Sequence, residues 1–200
     1  MLGTVTPLGE RSRNGGFRRT ALLYTASSTA AAAGLGALLA LIARGVSRLP
    51  AVHVPALAFA AAVGAAALAI DVSKRADRLP HMRRQVNDAW LGKFRPTIYA
   101  VGFGGQLGVA FTTHLVSAAA YAGFVFAALT QAPAAGALVG ASFGLTRGLL
   151  VYLGARATDT TELARLHRRV LGGERRVRST LRALEAALAF TAILAAAGQL

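Results

Sequence analysis

Polar side chains inside otherwise apolar stretches are the features of this sequence that could do chemistry. The stretch from Tyr99 to Leu129 contains no Asp, Glu, Lys or Arg, yet a glutamine, two threonines and a histidine lie near its middle. An arginine lies within a later apolar stretch, and a glutamate lies near the start of the last one. Such groups could bind a small solute or relay a proton. The candidate substrate-binding residues are Gln106, Thr113, His114, Arg147 and Glu185.

His114 is open to three interpretations. A histidine at this position could hydrogen-bond a neighbouring helix, contact a proton or substrate, or ligate a metal. A metal site is disfavoured because the other histidines, His53, His81 and His167, lie near the ends of apolar stretches or between them, and the chain has no cysteine. No catalytic triad, zinc signature or phosphate-binding loop is present. The sequence therefore predicts a protein that is not an enzyme and that holds neither a cofactor nor a metal.

Arg147 requires a partner if it is buried in a membrane. Glu185 is predicted at a similar depth on another helix, and an arginine–carboxylate pair would offset the desolvation of both groups. Asp71 is the alternative partner. In a third interpretation, Arg147 extends its side chain to the nearby lipid headgroups and forms no pair.

Membrane-spanning helices are the elements that must position these residues. Hydrophobic residues make up 54% of the chain and the mean hydropathy is +0.50. A crossing needs roughly 20 apolar residues, so the long third apolar block must be divided, and Gln131 to Pro133 offers the division. The predicted fold class is an all-α polytopic membrane helix bundle in a single domain, with about five transmembrane helices. The spans are predicted near 20–43, 51–71, 97–130, 134–154 and 182–200.

The net charge of +14 is distributed as expected for a membrane protein. Lys and Arg number four before the first span and then two, seven, none and eight between successive spans. Because cytoplasmic loops collect these residues, we expect the N-terminus in the cytoplasm, the C-terminus outside, and cytoplasmic loops at 71–96 and 155–181. The pattern predicts a multi-pass protein of the cytoplasmic (inner) membrane whose charges face anionic lipid headgroups. Nucleic acid is not an expected partner.

The second cytoplasmic loop contains a helix-start signal. Asp159 and Glu162 have capping-box spacing ahead of an apolar face. This pattern predicts a short helix along the membrane surface that ends at Gly172 and Gly173, with its arginines towards anionic lipid.

Glycines at intervals of four residues predict close helix packing. In a helix this spacing places them on one face, where another backbone can approach. The third and fourth spans both carry the pattern, so we expect those two helices to be partners. The packing residues are predicted to be Gly104, Gly108, Gly136, Gly140, Gly144 and Gly148.

The third span is too long for one straight crossing. Residues 97–130 would form about 51 Å of helix against a hydrocarbon core of roughly 30 Å. Because glycine lowers helix propensity by about 1 kcal/mol relative to alanine, we expect a break near 102–108, facing protein or a hydrated cavity.

Three stretches resemble the cytochrome c biogenesis and thiol-disulfide interchange transmembrane family, within the wider lysine exporter-like superfamily. They are "GTVTPLGERSRNGGFRRTALLYTASSTAAAAGLGALLALI", "GFGGQLGVAFTTHLVSAAAYAGFVFAAL" and "AAGALVGASFGLTRGLLVYL". The resemblance implies an inverted repeat of three plus three helices with both termini outside, of which this chain would hold the second to sixth, its opening helix being absent. It places the site at the broken helix, from Gly102 to His114. The family's cysteines are absent, which excludes thiol electron transfer for this chain.

These observations lead to two functional hypotheses. The first is a small transporter-like protein that moves or senses a small solute through the polar lining named above. The second is a non-catalytic assembly or accessory subunit whose glycine-rich helix faces bind a membrane protein partner or a second copy of the chain.

Overall fold

Every described element of the chain is a helix. A computed structural model describes residues 5–12, 15–48, 56–73, 93–110 and 117–197. Within these ranges no strand occurs, which confirms the all-α prediction. The helices are α1 (Pro7–Ser12), α2 (Phe17–Val46), α3 (Ala56–Val72), α4 (Pro96–Val109), α5 (Ala119–Leu129), α6 (Pro133–Leu149), a 3₁₀ helix (Leu150–Arg156) and α7 (Thr160–Ala197).

Two of the helices are long and apolar enough to cross a membrane. They are α2, with 30 residues, and α6 with its 3₁₀ extension, with 24 residues from Pro133 to Arg156. The apolar helices α3 and α5 are shorter, at 17 and 11 residues. These two long helices correspond to the first and fourth predicted spans.

The described chain forms two compact units. One comprises residues 1–32, 82–114 and 141–174, and the other comprises residues 33–81, 115–140 and 175–200. In the first unit a buried apolar cluster joins α2, α4 and the 3₁₀ helix. Its larger members are Tyr24, Tyr99, Phe103, Leu107 and Val151.

Small residues of α2 bring α4 close in the first unit. Gly104 lies against the backbone carbonyl of Tyr24 and the side chain of Ser27, and Gly108 lies against Ser28 and Ala31. A side chain at either glycine would overlap these atoms. The atoms nearest to both glycines therefore belong to α2 rather than to the predicted partner α6.

The C-terminal half of α6 packs on the same helix. Gly144 lies against Ser28 and Ala32, and a Cβ atom on Gly148 would stand 2.9 Å from the Thr25 Cα atom. The Ser28 hydroxyl donates a hydrogen bond to the Gly144 carbonyl at 2.8 Å. The Thr25 hydroxyl donates to the Gly148 carbonyl at 3.2 Å. Close approach of the two backbones and hydroxyl-to-carbonyl hydrogen bonds are interactions that hold apolar helices together where hydrophobic burial contributes little.

The second unit contains its own contact between α2 and α6. A Cβ atom on Gly136 would stand 2.5 Å from the Gly36 carbonyl oxygen and 2.7 Å from the Ala40 Cβ atom. One on Gly36 would stand 3.3 Å from the Gly140 Cα atom. All four glycines of the α6 ladder are buried, so each one faces a helix of this chain.

A second contact in this unit joins α3 to α5. Ala67, Ala118 and Ala122 are buried together, and Val63 and Phe126 pack against them. At the end of α3, the Asp71 carboxylate accepts hydrogen bonds from the Ala118 backbone N–H at 2.8 Å and the Ser117 hydroxyl at 2.5 Å. Asp71 therefore caps the start of α5 from another helix, while Arg182 of α7 donates to its backbone carbonyl at 3.0 Å.

Replacing Asp71 by alanine is expected to destabilise the start of α5 by about 1–2 kcal/mol, the usual effect of losing a helix cap. The change leaves the buried Ala118 N–H without its acceptor. Hydrogen exchange at the Ala118 to Ala122 amides should accelerate, and Asp71→Asn, which keeps an oxygen acceptor, should show a smaller effect. Ser73→Ala at the same end of α3 is the control, since the described hydrogen bonds of Ser73 go to the Ile70 and Ala69 carbonyls of the preceding turn. Unchanged exchange in Asp71→Ala would contradict the capping role.

Two predicted boundaries are correct and two are wrong. The division at Gln131 to Pro133 is confirmed, because α5 ends at Leu129 and α6 begins at Pro133. The break expected near 102–108 is wrong, because α4 continues through its glycines to Val109. The helix expected to stop at Gly172 and Gly173 instead continues to Ala197. Its start is as predicted, since the Asp159 carboxylate accepts from the Glu162 N–H at 2.7 Å.

Candidate functional site

The end of α4 has an unusual backbone conformation. Ala110, which is fully buried, follows the helix with φ of 63° and ψ of −58°. A non-glycine residue in this region is strained by about 1–3 kcal/mol, and such strain persists only where the surroundings enforce it. The Ala110 N–H bonds back to the Leu107 carbonyl at 3.2 Å. The helix therefore ends in a tight turn.

Arg147 of α6 binds this helix end. Its Nη1 atom donates to the same Leu107 carbonyl at 3.2 Å. The last carbonyls of a helix lack partners within the helix and carry partial negative charge. A guanidinium group placed there stabilises the end of α4 by charge as well as by hydrogen bonding.

Two aromatic side chains of the described residues also interact with Arg147. Its guanidinium carbon lies 5.5 Å from the centre of the Phe143 ring, in the range of a cation–π contact. Arg147 also interacts electrostatically with the buried Tyr24 of α2. The arginine is half-buried and connects three helices of the first unit.

The partners proposed for Arg147 from the sequence are placed as follows. Asp71 lies in the second unit, where its carboxylate is held by Ser117 and Ala118. Glu185 lies in α7, and its side chain is outside the described set. The backbone carbonyl that Arg147 does bind is a type of partner the sequence analysis did not consider.

The remaining predicted lining residues fall on or after α4. Gln106 is half-buried and lies one turn before the helix ends. Thr113 and His114 lie outside the described residues. Within the described part of the chain, the structure therefore places Gln106 and Arg147 in one unit, with Arg147 at the end of the helix that carries Gln106.

A buried carboxylate near the N-terminus was missed by sequence reasoning. Glu10 of α1 is fully buried. The Tyr99 hydroxyl donates to its Oε1 atom at 2.5 Å and the Thr20 hydroxyl donates to its Oε2 atom at 2.8 Å. A side chain at Gly15 would overlap the carboxylate. The available signal was that Glu10 is the sole acidic residue among the first 70.

Glu10 fixes α1 against the rest of the first unit. Thr6 is buried beside it and its hydroxyl oxygen accepts from the Gly9 N–H at 3.1 Å. The Leu8 N–H donates to the Ala157 carbonyl at 3.3 Å, just after the 3₁₀ helix. Hydrogen bonds from the N-terminal segment therefore reach α2, α4 and the end of the 3₁₀ helix.

No protein-family model, curated protein or solved structure matches this chain. The fold and the site define it as an all-helical protein with two helices that are long and apolar enough to cross a membrane. In the described residues no group of three or more His, Cys, Asp or Glu side chains could hold a metal ion.

Proposed function

We propose that this chain is a multi-pass protein of the cytoplasmic membrane with a transporter-like function, moving or sensing a small solute. The observation that carries the proposal is the end of α4, where a strained turn is bound by an arginine from an apolar helix. The polar lining would comprise Gln106 and Arg147, together with the other predicted residues Thr113, His114 and Glu185.

The exposed surfaces of the two long helices support membrane embedding. Only 22% of the most apolar 18 residues of α2 are buried, and only 28% in α6 with its extension. Leu22 is 63% exposed and Leu138 is 73% exposed. A core helix of a water-soluble protein would cover such residues, since soluble monomers rarely expose large contiguous apolar patches. A lipid environment accounts for the exposure without further assumption.

The interrupted third span supports a transport role. At about 1.5 Å per residue, α4 with its 14 residues is about 21 Å long and α5 with its 11 residues is about 17 Å long. Each is shorter than the roughly 30 Å hydrocarbon core. In many transporters, helices that end within the membrane build the substrate site from their termini. An ionisable side chain at such a terminus is a functional feature by default.

The accessory-subunit alternative is less favoured because the glycine faces are already occupied. The described contacts of Gly104, Gly108, Gly144 and Gly148 are with α2 of the same chain. A partner could dock there only by displacing α2. The resemblance to the cytochrome c biogenesis family supports only the proposed helix arrangement, since the chain has no cysteine for thiol chemistry.

Single cysteines can test for a hydrated path, because the chain has none of its own. We expect Gln106→Cys, reconstituted in lipid vesicles, to react with a charged, membrane-impermeant methanethiosulfonate at least about tenfold faster than a lipid-facing cysteine, since only a hydrated thiol ionises readily. Leu138→Cys is the lipid-facing control and Arg168→Cys is the aqueous control. Equal, slow reaction at Gln106 and Leu138 would overturn the transport proposal, and fast reaction at Leu138 would contradict membrane embedding.

A further inference from the structure

A basic pocket lies at the end of the long apolar helix formed by α6 and its 3₁₀ extension. It has a volume of about 250 Å³ and lies between the 3₁₀ helix and the first turns of α7. Besides Ala157, its lining consists of three arginines, two leucines and one glutamate: Arg156, Arg165, Arg169, Leu153, Leu166 and Glu162. All of these residues belong to the first unit.

The arginines give the pocket a positive charge that is available to a ligand. Arg165 and Arg169 are four residues apart on α7 and therefore share one face, while Arg156 ends the 3₁₀ helix. All three are exposed. Their guanidinium groups make no hydrogen bond or ion pair with other residues in the part of the chain that the structure describes.

The single acidic side chain of the pocket is already engaged. Glu162 Oε2 accepts from the Thr158 N–H at 3.2 Å and from the Thr158 hydroxyl at 3.1 Å. It closes the first turn of α7 and does not neutralise the three arginines. The lining therefore carries two positive charges in excess.

Apolar side chains continue from the pocket along the candidate membrane-spanning helix. Leu153 is exposed in the pocket itself, and Leu149 and Leu150 are exposed in the turn that precedes it. A ligand that matches this surface has an anionic group for the arginines and a hydrocarbon chain for the leucines. A free phosphate ion would satisfy only the first requirement.

We propose that the pocket is a binding site for one anionic phospholipid, whose headgroup phosphate is held by Arg156, Arg165 and Arg169 and whose acyl chain lies along Leu153. The proposal rests on the membrane embedding proposed above and does not depend on solute transport. The charge distribution in the sequence places this end of the helix at the cytoplasmic face, where basic pockets bind anionic headgroups. Arginine suits the role because its planar fork binds two phosphate oxygens at once.

Native mass spectrometry of the detergent-solubilised chain tests the site with phosphatidylglycerol and phosphatidylcholine as probes. We expect the wild type to retain one phosphatidylglycerol in preference to phosphatidylcholine. Arg165→Gln and Arg169→Gln should each weaken retention by about tenfold, the effect of losing one charge-assisted interaction. Arg168→Gln is the matched control, because Arg168 is exposed on the same helix and does not line the pocket.

Three outcomes would overturn the proposal. The first is an equal loss of retention in Arg168→Gln, which would indicate general attraction by the basic segment. The second is displacement of the lipid by inorganic phosphate at comparable concentration, which would identify a soluble anion as the ligand. The third is equal retention of both lipids by the wild type. A chain that stays monodisperse without detergent would instead contradict membrane embedding, so the two failures are distinguishable.

Discussion

Replacing Gly104 by alanine is expected to destabilise the protein by about 1–3 kcal/mol, the usual penalty for forcing an extra carbon into a packed interface. The added Cβ atom would overlap the backbone carbonyl of Tyr24. A backbone atom in the middle of a helix cannot rotate away, so α4 and α2 must separate. Thermal unfolding followed by far-ultraviolet circular dichroism in detergent measures the loss.

The adjacent Gly105 provides a control, because its replacement by alanine should change the stability in the opposite direction. Among the described residues, no atom outside its own helix lies within 4 Å of a Cβ atom placed there. Gly105→Ala should therefore stabilise the protein by up to about 1 kcal/mol, the difference in helix propensity. If the two variants unfold at the same temperature, the contact between α4 and α2 is not as described.

Replacing Glu10 by alanine is expected to destabilise the protein by about 2–6 kcal/mol, because two buried hydroxyl groups lose their acceptor at about 1–3 kcal/mol each. Tyr99 and Thr20 are both buried, so water does not replace the carboxylate directly. Loss of these bonds also releases α1. The variant should therefore unfold at a lower temperature than the wild type. Trypsin should also cleave it faster after Arg11, which lies within that helix.

Two further variants separate the role of the carboxylate from a general effect on α1. Tyr99→Phe removes one of the two hydroxyl donors and should cost less than Glu10→Ala. Ser12→Ala removes an exposed hydrogen bond within α1 and should change stability by less than about 0.5 kcal/mol. A Glu10→Ala protein as stable as Ser12→Ala would contradict the buried docking of α1.

The structural features that could be predicted are those determined by residues close together in the sequence. The turn between α5 and α6 was visible because Gln131 to Pro133 interrupts the apolar block and Pro133 starts a helix readily. In the structure Gln131 adopts a positive φ of 50° at this turn. The four-residue glycine spacing predicted a packing face, and the structure places α2 there. The sequence could not identify α2 as the partner, since its matching face consists mainly of alanine, serine and threonine, which are common throughout that helix.

The two misplaced helix ends show where propensity reasoning fails. Intrinsic helix propensity is a weak preference that tertiary contacts override. Gly104 and Gly108 remain helical because α2 packs against them, and the chain instead turns at Ala110, a residue with no local signal for ending a helix. The short helix α1 was missed for a related reason, because its stabilising contacts come from Thr20 and Tyr99, which are distant in sequence.

The position of α2 also has a consequence for how the chain assembles during synthesis. Residues Tyr24 to Ala32 of α2 contact both α4 and α6, and they are made before either of those helices. When each later helix leaves the ribosome, its binding surface on α2 has already been synthesised. Assembly can then proceed by adding helices in the order of translation, without rearrangement of those already in place.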